Sequence, residues 1–174
     1  NVLQTQDHPQ FKTYAEELKW LTTDKVRMAW VAKTIKDIST SGNTLILVDR
    51  ISAGQILQEQ LKDSVFVSGS TKNTDRKEQY DEVSTATNKI IIATYGVASV
   101  GINIPRIFNL VLIEPGKSFV RVIQSIGRGI RKAEDKENVQ IWDITSSCKF
   151  AKRHLGARKK FYKEANYPYN IEKV

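Results

Sequence analysis

The sequence predicts an α/β fold, a mostly parallel sheet with helices on both faces. Five short segments, Leu45–Val48, Val65–Val67, Ile90–Ala93, Leu110–Ile113 and Gln140–Asp143, are apolar and mostly β-branched, as strands without a wet side must be. Stretches with helical spacing alternate with them, the order that builds βα units. Polar, glycine-containing turns leave the strands, and an open parallel sheet binds its ligands at such strand exits.

Taken in order, residues 1–12 lack periodicity and carry Pro9, so they read as an incoming linker. Two helices follow. In the second, Met28, Val31, Ile35 and Ile38 recur at helical spacing until Ser39-Thr40-Ser41-Gly42-Asn43 ends it. After the first strand Ser52 is placed to cap a helix that buries Ala53, Ile56, Leu57 and Leu61. The second strand closes at Ser68-Gly69-Ser70, and Asn73 or Thr74 starts a polar helix ending before Asn88. A glycine-rich loop with a short helical turn joins the third and fourth strands. The α/β domain spans 13–145, and a basic helix and tail span 146–174.

A chain of 174 residues makes one domain that buries roughly 70% of its unfolded surface. It begins at Asn1 in a polar stretch and reads as a piece of a longer protein. No signal peptide is present, and no apolar run approaches the roughly 20 residues of a membrane-spanning helix. The expectation is a soluble, cytoplasmic protein without a membrane partner. Cys148 is the single cysteine, which excludes an internal disulfide and fits a small core residue.

The net charge of +8 is concentrated. Seven Lys or Arg and no acid lie between Lys149 and Lys163, leaving residues 1–148 at +2 and residues 164–174 at −1. In a helix, Lys149, Lys152, Arg153, Lys160 and Lys163 form one stripe, with Cys148, Ala151, Leu155 and Tyr162 on the other side and Arg158 pointing elsewhere. Such a stripe suits a polyanionic partner, although many basic helices are only solvated faces. Tyr162, Tyr167 and Tyr169 could stack on bases; packing is the simpler use.

Residues 117–131 carry the most specific pattern. At 100° per residue, Phe119, Val122, Ile123, Ile126 and Ile130 share one arc, while Gln124, Arg128 and Arg131 fall opposite. The two arginines stand one helical turn apart, so both guanidinium groups can reach one multivalent anion. Gly127 and Gly129 leave room for close approach.

Gln124, Gly127, Arg128 and Arg131 fill every specified position of Q-x-x-G-R-x-x-R, and the segment resembles motif VI of superfamily 2 helicases. The resemblance implies a C-terminal RecA-like lobe and an ATP-dependent enzyme. It also implies that Arg128 and Arg131, with Gln124, act at the γ-phosphate of ATP, with Gly127 beside the nucleotide. Ala93 through Pro105 resembles motif V, which implies that Thr94 touches the nucleic-acid backbone and that Gly101 and Asn103 lie near the nucleotide. Asn103 stands where the family commonly has Asp; its amide can bond a ribose hydroxyl but brings no negative charge. Leu45–Arg50 resembles motif IV, with Arg50 a phosphate contact. Ser68-Gly69, with Arg76 downstream, resembles the next βα unit and could offer backbone N–H groups to phosphate.

A P-loop is missing. In the fragment Gly116-Lys117-Ser118 the first required glycine position is Val111 inside a strand, and Asp81-Glu82 sits in a helical stretch rather than at a strand end. The expectation is a half-site: an upstream RecA-like lobe holds ATP with Mg²⁺, the 1–12 linker arrives from that lobe, and this fragment alone is inactive. Within the superfamily the whole chain resembles phage recombination and repair helicases, which implies remodelling of branched DNA and RNA–DNA hybrids in the host cytoplasm. A nucleic-acid-binding accessory domain without ATP chemistry is the alternative. A Rossmann cofactor domain is excluded because no G-x-G-x-x-G follows the first strand.

Overall fold

The computed structural model describes residues 1–69, 71, 73–100, 104, 106–116, 119, 121–124 and 139–174. Seven parallel strands form one sheet: β1 (Val2–Thr5), β2 (Thr44–Val48), β3 (Val65–Val67), β4 (Ile90–Thr94), β5 (Asn109–Ile113), β6 (Gln140–Ser146) and β7 (Ile171–Lys173). Their order is β3-β4-β2-β5-β6-β1-β7. The helices are α1 (Tyr14–Thr23), α2 (Lys25–Ser39), α3 (Ile51–Gln60), α4 (Asn73–Thr85), α5 (Tyr95–Ser99) and α6 (Lys149–Glu164). Positions 119 and 121–124 are also helical.

Strand alternation sorts the core into two layers. Leu45, Leu47, Ile91, Ala93, Leu110 and Leu112 face one side, where Val83 of α4, Val97 and Ala98 of α5, the helical residues Phe119, Val122 and Ile123, and Leu155 and Tyr162 of α6 cover them. Ile46, Val48, Ile90, Ile92, Val111, Ile113 and Ile144 face the other, under α2 and α3. The paired register keeps these sets together, with Leu45 beside Ile91 and Leu110, and Leu47 beside Ala93 and Leu112. Both faces are buried, which explains why the central strands read as continuous apolar runs. Helix α3 packs closely on the sheet, and a Cβ at Gly54 would stand 2.4 Å from the Phe66 ring.

Local chemistry sets the helix ends. Thr13 caps α1 and Asp24 caps α2, the Asp24 carboxylate accepting from the Arg27 N–H at 3.0 Å. Beyond α2, Gly42 has φ +147 against the Phe108 ring, a conformation that favours glycine.

The sequence expectations need three corrections. Residues 2–5, read as linker, form β1, hydrogen-bonded in register to β6 on one side and β7 on the other. Val2 and Leu3 turn to opposite faces and are buried; a strand of four residues is too short for its alternation to be seen. Strand β7 lies within the expected tail for the same reason. Ser52 does not cap α3, which begins at Ile51 with Arg50 in the cap position and no side-chain capping bond.

Candidate nucleotide and nucleic-acid site

Because the strands are parallel, all their exits open on one edge of the sheet. β3, β4 and β2 are neighbours, and Thr94 pairs with Val48 across the sheet. Ser68 and Gly69 after β3, Thr94 at the end of β4 and Arg50 beyond β2 therefore stand together at this carboxyl edge. Helix α6 starts at the same edge and runs back along the sheet. Lys149, Lys152 and Arg153 are near the strand exits, whereas Lys163 is about 21 Å further along the helix, at 1.5 Å per residue. All five stripe residues are exposed.

Each edge residue has a structural setting. Arg50 is half-exposed and lies 3.7 Å from Asp49, a surface ion pair of little energetic weight. The Thr94 hydroxyl accepts from the Val97 N–H at 3.2 Å and caps α5. The Ser68 N–H donates to the Thr71 hydroxyl at 3.1 Å, and Arg76 Nη2 donates to the Ser68 and Gly69 carbonyls at 3.0 and 3.3 Å. This loop therefore turns carbonyls toward its arginine, and the Ser68 N–H is not aimed at an outside phosphate. Gly69 has open space where a Cβ would stand.

The expected two-sided segment is visible in its described part: Phe119, Val122 and Ile123 are buried, and Gln124 is exposed. Gly101, Asn103, Gly127, Arg128 and Arg131 lie outside the described residues. Among the described residues no group of three or more His, Cys, Asp or Glu side chains forms a metal site, and no helix is long and apolar enough to cross a membrane.

Sequence reasoning missed a buried polar framework behind this edge. Glu114 and Pro115, consecutive residues after β5, are held from opposite faces of the sheet by two arginines. From α2, Arg27 donates through Nη2 to the Glu114 carboxylate and through Nε to the Leu21 carbonyl at 3.1 Å. The Thr145 hydroxyl donates to the other Glu114 oxygen at 3.3 Å. Burial pushes the Glu114 carboxyl up, against the opposing pull of Arg27 and Arg158. From α6, Arg158 donates through Nε and Nη2 to the two Asp143 oxygens at 2.7 and 2.9 Å, and through Nη1 to the Pro115 carbonyl at 2.7 Å. Burial works against the Arg158 charge, but Asp143 more than offsets it and holds the guanidinium above its ordinary value. The Tyr162 hydroxyl also donates to Asp143, at 2.7 Å. The missed signal was spacing: Arg158 falls on the helical arc of Ala151, Leu155 and Tyr162, where a charge must be paired.

Comparison with known proteins agrees with this architecture. Residues 26–133 match the model of the helicase conserved C-terminal domain. The ATP-dependent DNA helicase uvsW of Enterobacteria phage T4 is 31% identical over 161 residues, 90% of this chain but only 32% of that protein. The T4 UvsW crystal structure superposes with a TM-score of 0.83 at 24% identity, covering 99% of this chain and 40% of the other. The C-terminal domain of the DEAD-box protein Dbp5 gives 0.62 at 17% identity over 99% of this chain and 88% of that domain. E. coli SrmB, another DEAD-box protein, gives 0.60 at 18% identity, covering 99% and 87%. The chain thus spans about a third of the length of the T4 helicase. With the family model over most of its length and the all-parallel sheet these structures share, this chain belongs to the helicase conserved C-terminal domain family, as the C-terminal RecA-like lobe of a superfamily 2 helicase.

Proposed function

We propose that this motor lobe completes an ATP site shared with an upstream RecA-like lobe, and that the pair remodels branched DNA and RNA–DNA hybrids. The carrying observation is the split of the motif VI segment, with Phe119, Val122 and Ile123 in the core and Gln124 exposed. In the helical projection of the sequence, Arg128 and Arg131 share the Gln124 side. Their role is to neutralise charge on the transferred phosphoryl group, while Gly101, Asn103 and Gly127 lie along the nucleotide. Mg²⁺ comes with the nucleotide from the upstream lobe. Arg50, Thr94 and Gly69 at the carboxyl edge, with the stripe of α6, follow the nucleic-acid backbone, and Ser68 shapes their loop. The DNA assignment is supported by the likeness to the phage T4 ATP-dependent DNA helicase.

The test is Arg131→Ala in the full-length protein. An arginine that meets the γ-phosphate contributes on the order of 10³ to 10⁵ in rate, so DNA-stimulated kcat collapses while DNA affinity stays within about twofold, a change of less than 0.5 kcal/mol. Hydrolysis that survives unchanged overturns the finger assignment and favours a binding domain without ATP chemistry. An enzyme that hydrolyses ATP on DNA yet releases no strand from a branched junction or an RNA–DNA hybrid overturns the substrate assignment alone.

A further inference from the structure

We propose that Arg158 is a positioning residue: it ties the basic helix α6 to the Glu114–Gly116 connection, so that nucleic acid on the outer face of α6 sets the rate of ATP hydrolysis. The inference rests on the motor reading above and adds the route by which one site informs the other.

The geometry is that of a rigid bridge. Arg158 is 2% exposed, and each of its three guanidinium nitrogens donates a bond. Two bonds fix the planar fork on Asp143 of the interior strand β6, which leaves Nη1 aimed at the Pro115 carbonyl. Pro115 begins the connection that leads into helical residues 119 and 121–124. Phe119 is the second contact, with its ring edge-on to Phe161 at 5.2 Å and to Tyr162 at 5.4 Å between centroids. Arg158, Phe161 and Tyr162 all belong to α6, so this helix grips the start of the Gln124 segment by a charged bridge and by an aromatic cluster.

The connection is also poised. Glu114 has φ +44, a left-handed conformation unusual for a residue with a side chain. The Arg27 bond to its carboxylate and the Arg158 bond to the next carbonyl hold it there from the two faces. The opposite side of α6 carries the exposed Lys149, Lys152, Arg153, Lys160 and Lys163. A helix turn is stiff, so a strand that draws this outer face toward its phosphates loads the inner bridge. A guanidinium bound at three points cannot slide; it moves the Pro115 backbone or loses a bond.

The experiment is Arg158→Lys in the full-length protein, with steady-state hydrolysis measured with and without DNA. Lysine keeps the charge but cannot span Asp143 and Pro115 with one ammonium. The readout is the ratio of stimulated to basal rate, because a loss of folded protein lowers both rates and cancels. The expected result is a roughly tenfold fall in that ratio, the scale of one charge-assisted hydrogen bond. KM for ATP and the affinity for a fluorescein-labelled oligodeoxynucleotide stay within about twofold. Where Arg158→Lys does not fold, Tyr162→Phe keeps the aromatic packing, removes one bond to Asp143, and lowers the ratio by roughly threefold. A wild-type ratio in the folded variant, or a ratio that falls only in step with DNA affinity, overturns the bridge. Wild-type hydrolysis that DNA does not raise overturns the motor reading, and this inference with it.

Discussion

Glu17 caps a helix to which it does not belong. Its Oε1 accepts from the Phe150 N–H and its Oε2 from the Ala151 N–H, both at 2.9 Å, although Glu17 lies in α1 and the two amides open α6. Cys148, in the cap position of α6, supplies no side-chain bond, so the carboxylate satisfies amides that would otherwise be orphans and meets the positive end of the helix dipole. Glu17 is 1% exposed, and Glu17→Ala leaves both amides unpaired. The expected loss is about 1–3 kcal/mol in chemical denaturation, with Glu17→Gln losing less because its amide oxygen still accepts one bond. A loss below about 0.5 kcal/mol, the range of ordinary surface changes, would mean that water replaces the cap.

The Arg158–Asp143 pair makes a sharper demand on stability. Removing one partner of a buried pair leaves the other charge uncompensated, so Asp143→Ala should cost about 3–5 kcal/mol. Replacing both partners with Met at 158 and Leu at 143 should recover most of that loss, since well-packed apolar groups often substitute for a buried pair. The double variant then separates two roles: stability returns in urea titration, while the link to the Pro115 carbonyl does not.

The central sheet was legible because β2, β4 and β5 are buried on both faces and advertise it as unbroken runs such as Leu45–Val48. The basic helix was legible too, since its exposed lysines and its apolar side separate at helical spacing. What escaped is tertiary. Val2 and Leu3 are a two-residue signal, and their place between β6 and β7 depends on a pairing partner some 140 positions away in the chain. Arg27 looks like any surface arginine until Glu114 is brought beneath it, and although the spacing of Arg158 places it on the buried arc of its helix, nothing local names Asp143 as its partner. At the site, Arg50, Ser68, Gly69 and Thr94 do meet at one edge because the parallel strands require it. The Ser68 N–H nevertheless turns inward to Thr71, a matter of loop geometry that residue type does not specify.

Tyr162 gives a pH signature. Burial, followed by the neighbouring Asp143 charge and hydrogen bond, raises its hydroxyl well above the ordinary value of 10.0. Above that pH the unfolded chain releases the phenolic proton while the native state keeps it, so the native state binds more protons and stability falls as pH rises. The contribution of Tyr162 is fully present below pH 10.0 and lost progressively above it. Tyr162→Phe should make the alkaline decline shallower by up to about 1.4 kcal/mol per pH unit. Parallel declines in the two proteins would place the hydroxyl in water.

The stripe on α6 makes a prediction that distinguishes phosphate contact from a merely solvated face. Each lysine or arginine that neutralises a duplex phosphate steepens the dependence of log affinity on log salt by about 0.9. In the full-length protein, Lys152→Ala with Arg153→Ala should therefore flatten that slope by about 1.8. Lys160→Ala with Lys163→Ala tests how far the backbone follows the helix. The 21 Å or so from Lys149 to Lys163, at 1.5 Å per residue, matches about six base-pair steps at roughly 3.4 Å each. A duplex lying along α6 thus reaches both pairs, and each pair should flatten the slope equally. Flattening by the first pair alone would confine the nucleic acid to the carboxyl edge, beside Arg50 and Thr94, and an unchanged slope in both would make the stripe a solvated surface.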